Sequence, residues 1–81
     1  MLALAALVQT LDDDRRARRF IDLTGIGTDE LRARAGEPAF LAELIRFLES
    51  HEPDLIAVSQ ALGIKPEALV KARQELEEGQ S

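Results

Sequence analysis

Residue types able to do chemistry gather at four places in the chain. Asp12, Asp13 and Asp14 are consecutive carboxylates, Arg15, Arg16, Arg18 and Arg19 follow at once, Ser50 and His51 stand side by side, and the segment Val58 to Ala72 carries Lys65 and Lys71 around a central Gly63. Acidic loops that hold a cation alternate their ligands around a glycine. The triplet does not alternate, and its side chains diverge on a helix, so the expected task is to cap the helix that follows. His51 is the only histidine and there is no cysteine, which leaves no ligand set for a transition metal and no thiol nucleophile. Ser50 is merely adjacent to His51, not placed as a nucleophile beside its base. The expectation is a protein with no catalytic residues, no metal and no cofactor, and so not an enzyme.

The arginine cluster is the better candidate for recognition, because guanidinium groups pair bidentately with carboxylate and phosphate. No aromatic residue interleaves with it, and Asp12 to Asp14 and Asp22 offset it, so a solvated helix face is its ordinary role. Arg15, Arg18 and Arg19 are nevertheless expected to form a charged contact patch for an acidic partner. The segment Val58 to Ala72 resembles a helix-turn-helix, with Ser59, Leu62, Gly63, Ile64, Leu69 and Ala72 filling the packing roles of a tight corner. Reading a major groove would also require an outward face rich in base donors and cations. That face holds Glu67, Val70, Lys71 and Gln74, with Glu75, Glu77 and Glu78 close behind. A structural corner is therefore expected, and Lys65, Lys71, Gln74 and Arg19 are the residues that would touch nucleic acid if the corner did read it.

With 81 residues, 46% of them hydrophobic and 31% charged, there is room for one small core and no second. Ten basic against fifteen acidic groups give a net charge of −5, which repels phosphate polymers at long range. The balance is uneven: residues 15–34 hold six basic groups against three acids, so one end is cationic on an anionic molecule. Met1 to Val8 is apolar but lacks the basic flank and cleavage site of a secretory signal, and no stretch approaches the roughly 20 apolar residues that cross a bilayer. A cytoplasmic protein with no membrane partner is expected.

Ala and Leu dominate, helix spacing recurs, and runs of alternating β-branched residues are missing. The fold expected is all-α: a compact orthogonal bundle of five to six short helices in one domain, residues 1–76, with a frayed polar tail over 77–81. Leu4, Leu7, Val8 and Leu11 are expected to line the inner face of the first helix, and Ala17, Phe20, Ile21 and Thr24 that of the second, which Gly25 ends. Thr28 is the expected N-cap of a short third helix that runs to about Ala35 and is stopped by Gly36. Pro38 opens a fourth, running to near His51, whose Phe40, Leu41, Leu44, Ile45, Phe47 and Leu48 cover an arc wider than the usual stripe of about 100°. This helix must touch several neighbours and is placed at the centre. The fifth, Pro53 to Leu62, buries Leu55, Val58 and Leu62; the sixth, from Pro66, turns Leu69, Ala72 and Leu76 inward. Gly25-Ile26-x-x-Asp29-x-Leu31 and Gly63-Ile64-x-x-Glu67-x-Leu69 match 38 residues apart and predict two similar corners.

Three blocks, Phe20-Ile21-x-Leu23-Thr24-Gly25, Leu31 to Leu41 and Ile45-x-Phe47-Leu48-x-x-x-Glu52, together resemble an uncharacterised bacterial family of short all-helical proteins, a domain of unknown function. The resemblance runs over about Leu2 to Leu76 and implies a compact helical domain, with no activity or cofactor to carry over. On the residues themselves the expected function is a non-enzymatic protein-interaction module whose partner is another protein or a second copy. Ile56 and Val70, which fall off the main apolar stripes, join Arg15, Arg18 and Arg19 as its contact patch. The alternative is a nucleic-acid-binding helix-turn-helix protein or an accessory factor in transcription.

Overall fold

A computed structural model describes residues 2–79 as six helices: α1 (Leu2–Asp12), α2 (Asp14–Thr24), α3 (Thr28–Arg34), α4 (Pro38–Glu49), α5 (Glu52–Leu62) and α6 (Pro66–Glu78). No strand occurs among the described residues. Local signals set most of the ends. Asp13 caps α2, its carboxylate accepting from the Arg16 N–H at 3.0 Å, and this bond from a backbone donor is the chief reason its pKa is lowered. Gly25 and Gly63 close α2 and α5 with φ of 67° and 70°, the left-handed region that suits glycine. Pro38, Pro53 and Pro66 lie in first turns, where a missing N–H leaves no helical bond unmade.

The two matched segments do form like corners. Behind each left-handed glycine an isoleucine turns inward, Ile26 buried and Ile64 half-buried, and the next helix then buries Leu31 or Leu69. Thr28 is not the N-cap of α3: Gly27 holds that place without a side-chain bond, and Thr28 is the first helical residue. Thr24 Oγ1 instead donates back to the Phe20 carbonyl at 2.8 Å.

As its breadth predicts, α4 is central, packing against α6 most extensively and also against α1 and α5. Phe40, Leu41, Leu44, Ile45, Phe47 and Leu48 are all buried. Every helix adds at least one side chain to the same core, and the radius of gyration, 11.6 Å, agrees with the value of about 12 Å that scaling gives for a compact chain of this length.

Several expected faces differ. In α1 the buried residues are Ala3, Ala6, Leu7 and Thr10, whereas Leu4 is 42% and Val8 58% exposed. The small Ala3–Ala6–Thr10 side lets α1 lie close to its neighbours, and Thr10 is wholly buried because its hydroxyl donates to the Ala6 carbonyl at 2.8 Å. In α2 only Phe20 is fully buried, and Ile21 and Thr24 are exposed. This helix leans chiefly on α1 and sends one wedge into the core, where the Phe20 ring meets those of Phe40 and Phe47 edge-on at 5.9 and 5.1 Å. At the other end, α6 runs on to Glu78 where fraying was expected from residue 77. Salt bridges to α4 hold that end. Residues 80 and 81 of the expected tail lie outside the described residues.

Candidate functional site

The four arginines of α2 separate into two pairs. Arg15 and Arg18 are exposed. Arg16 and Arg19 turn to α5 and converge on Asp54, Arg16 Nε at 3.6 Å and Arg19 in direct ion-pair contact. Arg16 also donates to the Gln9 carbonyl at 3.1 Å, and the Arg19 guanidinium lies 5.6 Å from the centre of the Phe47 ring. Arg19 therefore joins α2 to α5 and α4, and does not stand beside Arg15 and Arg18 on an open face. Lys65, Lys71 and Gln74 are exposed on and just before α6, while Arg19 lies on α2 with about a third of its side chain exposed.

Ile56 and Val70 do come together. They line a groove of about 360 Å³ between α5 and α6, with Leu55 and Pro66 beside them and the carboxylates of Glu49, Glu52 and Glu67 around it. Val70 is half-buried and Ile56 exposed. Glu49 is held from the far side by Arg73, whose Nε and Nη2 donate to its two oxygens at 2.5 and 3.2 Å. Arg73 also donates to Glu77 at 2.6 Å, and Arg46 donates to Glu77 through Nε at 2.8 Å. This network clamps the C-terminal ends of α4 and α6. The Arg46 bond, with help from Arg73, holds the Glu77 carboxyl below the usual glutamate range, and the Glu49 bond raises Arg73.

The segment Val58 to Ala72 forms a corner between α5 and α6, with the left-handed Gly63 at its turn. Ser59 is buried, its hydroxyl donating to the Leu55 carbonyl at 2.7 Å, and Val58 and Leu69 are fully covered. On the open side of α6, Glu67 and Glu75 are exposed together with Lys71 and Gln74, so cations and carboxylates alternate there. Ser50 donates to the Phe47 carbonyl at 2.7 Å. His51 is exposed at the N-cap of α5, just past the end of α4. Among the described residues no group of three or more His, Cys, Asp or Glu could hold a metal ion, and no helix is long and apolar enough to cross a membrane.

Two surfaces escape a stripe-by-stripe reading of the chain. The first is the outer side of α1, where Leu4 and Val8 are exposed one turn apart and Leu11 continues the row half-buried. The signal for it is that α1 bears no charge before Asp12 and spreads its leucines and Val8 beyond a single stripe, so that one covered side cannot enclose them all. The second is a groove of about 450 Å³ between the start of α1 and α6, floored by Leu2, Ala3, Ala68, Ala72 and Leu76 with Lys71 and Glu75 on it. No curated protein and no solved structure matches the chain. One family model does match, over residues 1–79 and thus nearly the whole length, and the chain belongs to the family it defines, described as Protein of unknown function (DUF3572).

Proposed function

We propose that this domain is a non-enzymatic protein-interaction module that presents the outer side of α1 to a helix or apolar groove of another protein. The observation that carries the reading is the double-sided character of α1. Its Ala3–Ala6–Leu7–Thr10 side is already covered, yet the adjoining flank leaves Leu4 and Val8 exposed with no charged neighbour along the helix before Asp12. An amphipathic surface helix would carry polar residues there. Side chains spaced i, i+4 and i+7, as Leu4, Val8 and Leu11 are, form the kind of row by which helices engage apolar grooves. Arg15 and Arg18, exposed on the next helix, add a cationic margin suited to an acidic rim on the partner.

The test uses wild-type and Leu4→Glu/Val8→Glu baits in pull-downs from lysate at physiological salt, with circular dichroism verifying that both are folded. At least one protein of a different sequence is expected to be retained by the wild type and lost by the variant. If no captured protein depends on those two side chains, the reading fails.

The second reading, nucleic-acid binding through α5 and α6, draws support from the buried Ser59 and the left-handed Gly63 at the corner. Against it stand Glu67 and Glu75, which would face the phosphates alongside Lys71. A labelled duplex that titrates flat at low salt removes this reading; binding that weakens steeply with salt, and again on Lys65→Glu, would install it.

A further inference from the structure

We infer that the groove between α1 and α6 is a self-association surface, in which the α6 helices of two copies cross antiparallel about a two-fold axis and Lys71 of each copy pairs with Glu75 of the other. The inference goes beyond the α1 reading and does not depend on it, since Leu4 and Val8 lie off this groove. A two-fold interface brings one patch against itself, so every charge in it must find its opposite within the same patch. The α6 rim meets that condition. Lys71 and Glu75 are one helical turn apart, both line the groove and both are exposed. Among the described residues neither has an ion-pair partner, although this spacing would allow them to pair with each other. Crossing two such helices antiparallel sets plus against minus twice. A parallel crossing would set like against like, so the charges also choose the direction.

The floor suits the same arrangement. Ala68 and Ala72 are one turn apart on α6, and side chains that short let two helix axes approach to about 8 Å, the close end of the packing range. Leu2 and Leu76 stand along the groove, half-buried against the core of their own chain, and would be covered further by the second copy. A partner with one sign of charge would leave either Lys71 or Glu75 facing its like.

The experiment is analytical ultracentrifugation of the full chain at physiological salt, from micromolar to millimolar concentration, with the wild type, Lys71→Glu, Glu75→Lys and the double swap. The wild type is expected to show a concentration-dependent dimer. Each single swap turns two attractive contacts into two repulsive ones and should move the monomer–dimer midpoint at least about tenfold upward in concentration. The double swap should bring it back, because the pairs re-form with their signs exchanged. Helical circular dichroism and melting temperature identify any variant that has merely unfolded. A chain that stays monomeric throughout, single swaps without effect, or a double swap that does not restore the dimer would each overturn the inference. A dimer that survives Lys71→Glu and disappears in Leu4→Glu/Val8→Glu would overturn it too, assigning self-association to α1.

Discussion

Truncating the three large side chains in the middle of α1 one at a time should produce very unequal losses of stability. Leu7 is 3% exposed and sits in the common core. Leu7→Ala opens a cavity in a closed site and should cost about 2–5 kcal/mol. Leu4 is 42% exposed. Full burial of a leucine is worth about 1.5–3 kcal/mol, and with much of the side chain already in water Leu4→Ala should cost about 1 kcal/mol or less. For Val8, 58% exposed, the small packing loss is offset by the better helix propensity of alanine, about 0.6 kcal/mol, so Val8→Ala should be close to neutral. A domain of 81 residues has about 4–12 kcal/mol in all. Leu7→Ala therefore removes a large share of the total and should lower Tm by about 10 °C or more.

Urea unfolding followed by circular dichroism at 222 nm gives all three values from one protocol, run at low micromolar concentration so that self-association does not contribute. The expected order is Leu7 far above Leu4, and Leu4 above Val8. If Leu4→Ala or Val8→Ala costs as much as Leu7→Ala, α1 is rotated about its axis relative to the arrangement described, and the argument for an open apolar row on it collapses.

Other perturbations test the remaining joints of the fold. Phe20→Ala should cost about 3–5 kcal/mol because Phe20 is the one fully buried side chain of α2; Phe20→Leu, milder and still folded, should melt lower than wild type, and an unchanged Tm would refute the wedge role. Gly25→Ala and Gly63→Ala should each cost about 1–2 kcal/mol through backbone strain alone, since a methyl group at either position meets nothing within 4 Å; urea midpoints equal to wild type would show that the left-handed turns are not needed. Glu77 has a folded-state pKa below its unfolded value, so its contribution is present above the ordinary glutamate pKa of about 4.3 and is lost as pH falls through the folded value. Accordingly, the Tm gap between wild type and Glu77→Gln should be open at neutral pH and close on acidification; a gap independent of pH would mean that the charge is not what holds α6 to α4.

Much of this architecture was legible in the chain because the deciding signals are local. An N-cap aspartate, prolines in first turns and glycines with no β-carbon act within a few residues of themselves, and Asp13, Pro38, Gly25 and Gly63 act where their types predict. The breadth of the apolar arc on α4 likewise foretold a helix with neighbours on several sides. What could not be read was the choice among several apolar faces on one helix. In α1 the larger residues suggested the inner face, yet of these only Leu7 is fully buried, and it shares that face with Ala3, Ala6 and Thr10, whose hydroxyl bonds within its own helix. Partnering of charges over long sequence distance was equally hidden. Asp54 lies 35 residues beyond Arg19, and Glu77 was expected in a loose tail when in fact Arg46 and Arg73 fasten it. Of the expected contact patch, Ile56 and Val70 meet in one groove, Arg15 and Arg18 remain open, and Arg19 is paired with Asp54.

The same competition between faces connects the fold to its proposed use. In a chain this short, surface is large relative to volume, and a helix as apolar as α1 has more oily side chains than one small core can enclose. Packing by the Ala–Thr side brings the backbone of α1 close to its neighbours and leaves Leu4 and Val8 outside; packing by the leucine side would hold α1 farther away and turn Ala3 and Ala6 to water, where they would offer little to bind. The observed choice therefore covers Leu7 and leaves Leu4 and Val8 at the surface. For the isolated domain that is a cost, since exposed Leu and Val gain nothing from water and invite association. It becomes an advantage only if a partner covers them, which is why substitutions at Leu4 and Val8 should change binding far more than folding.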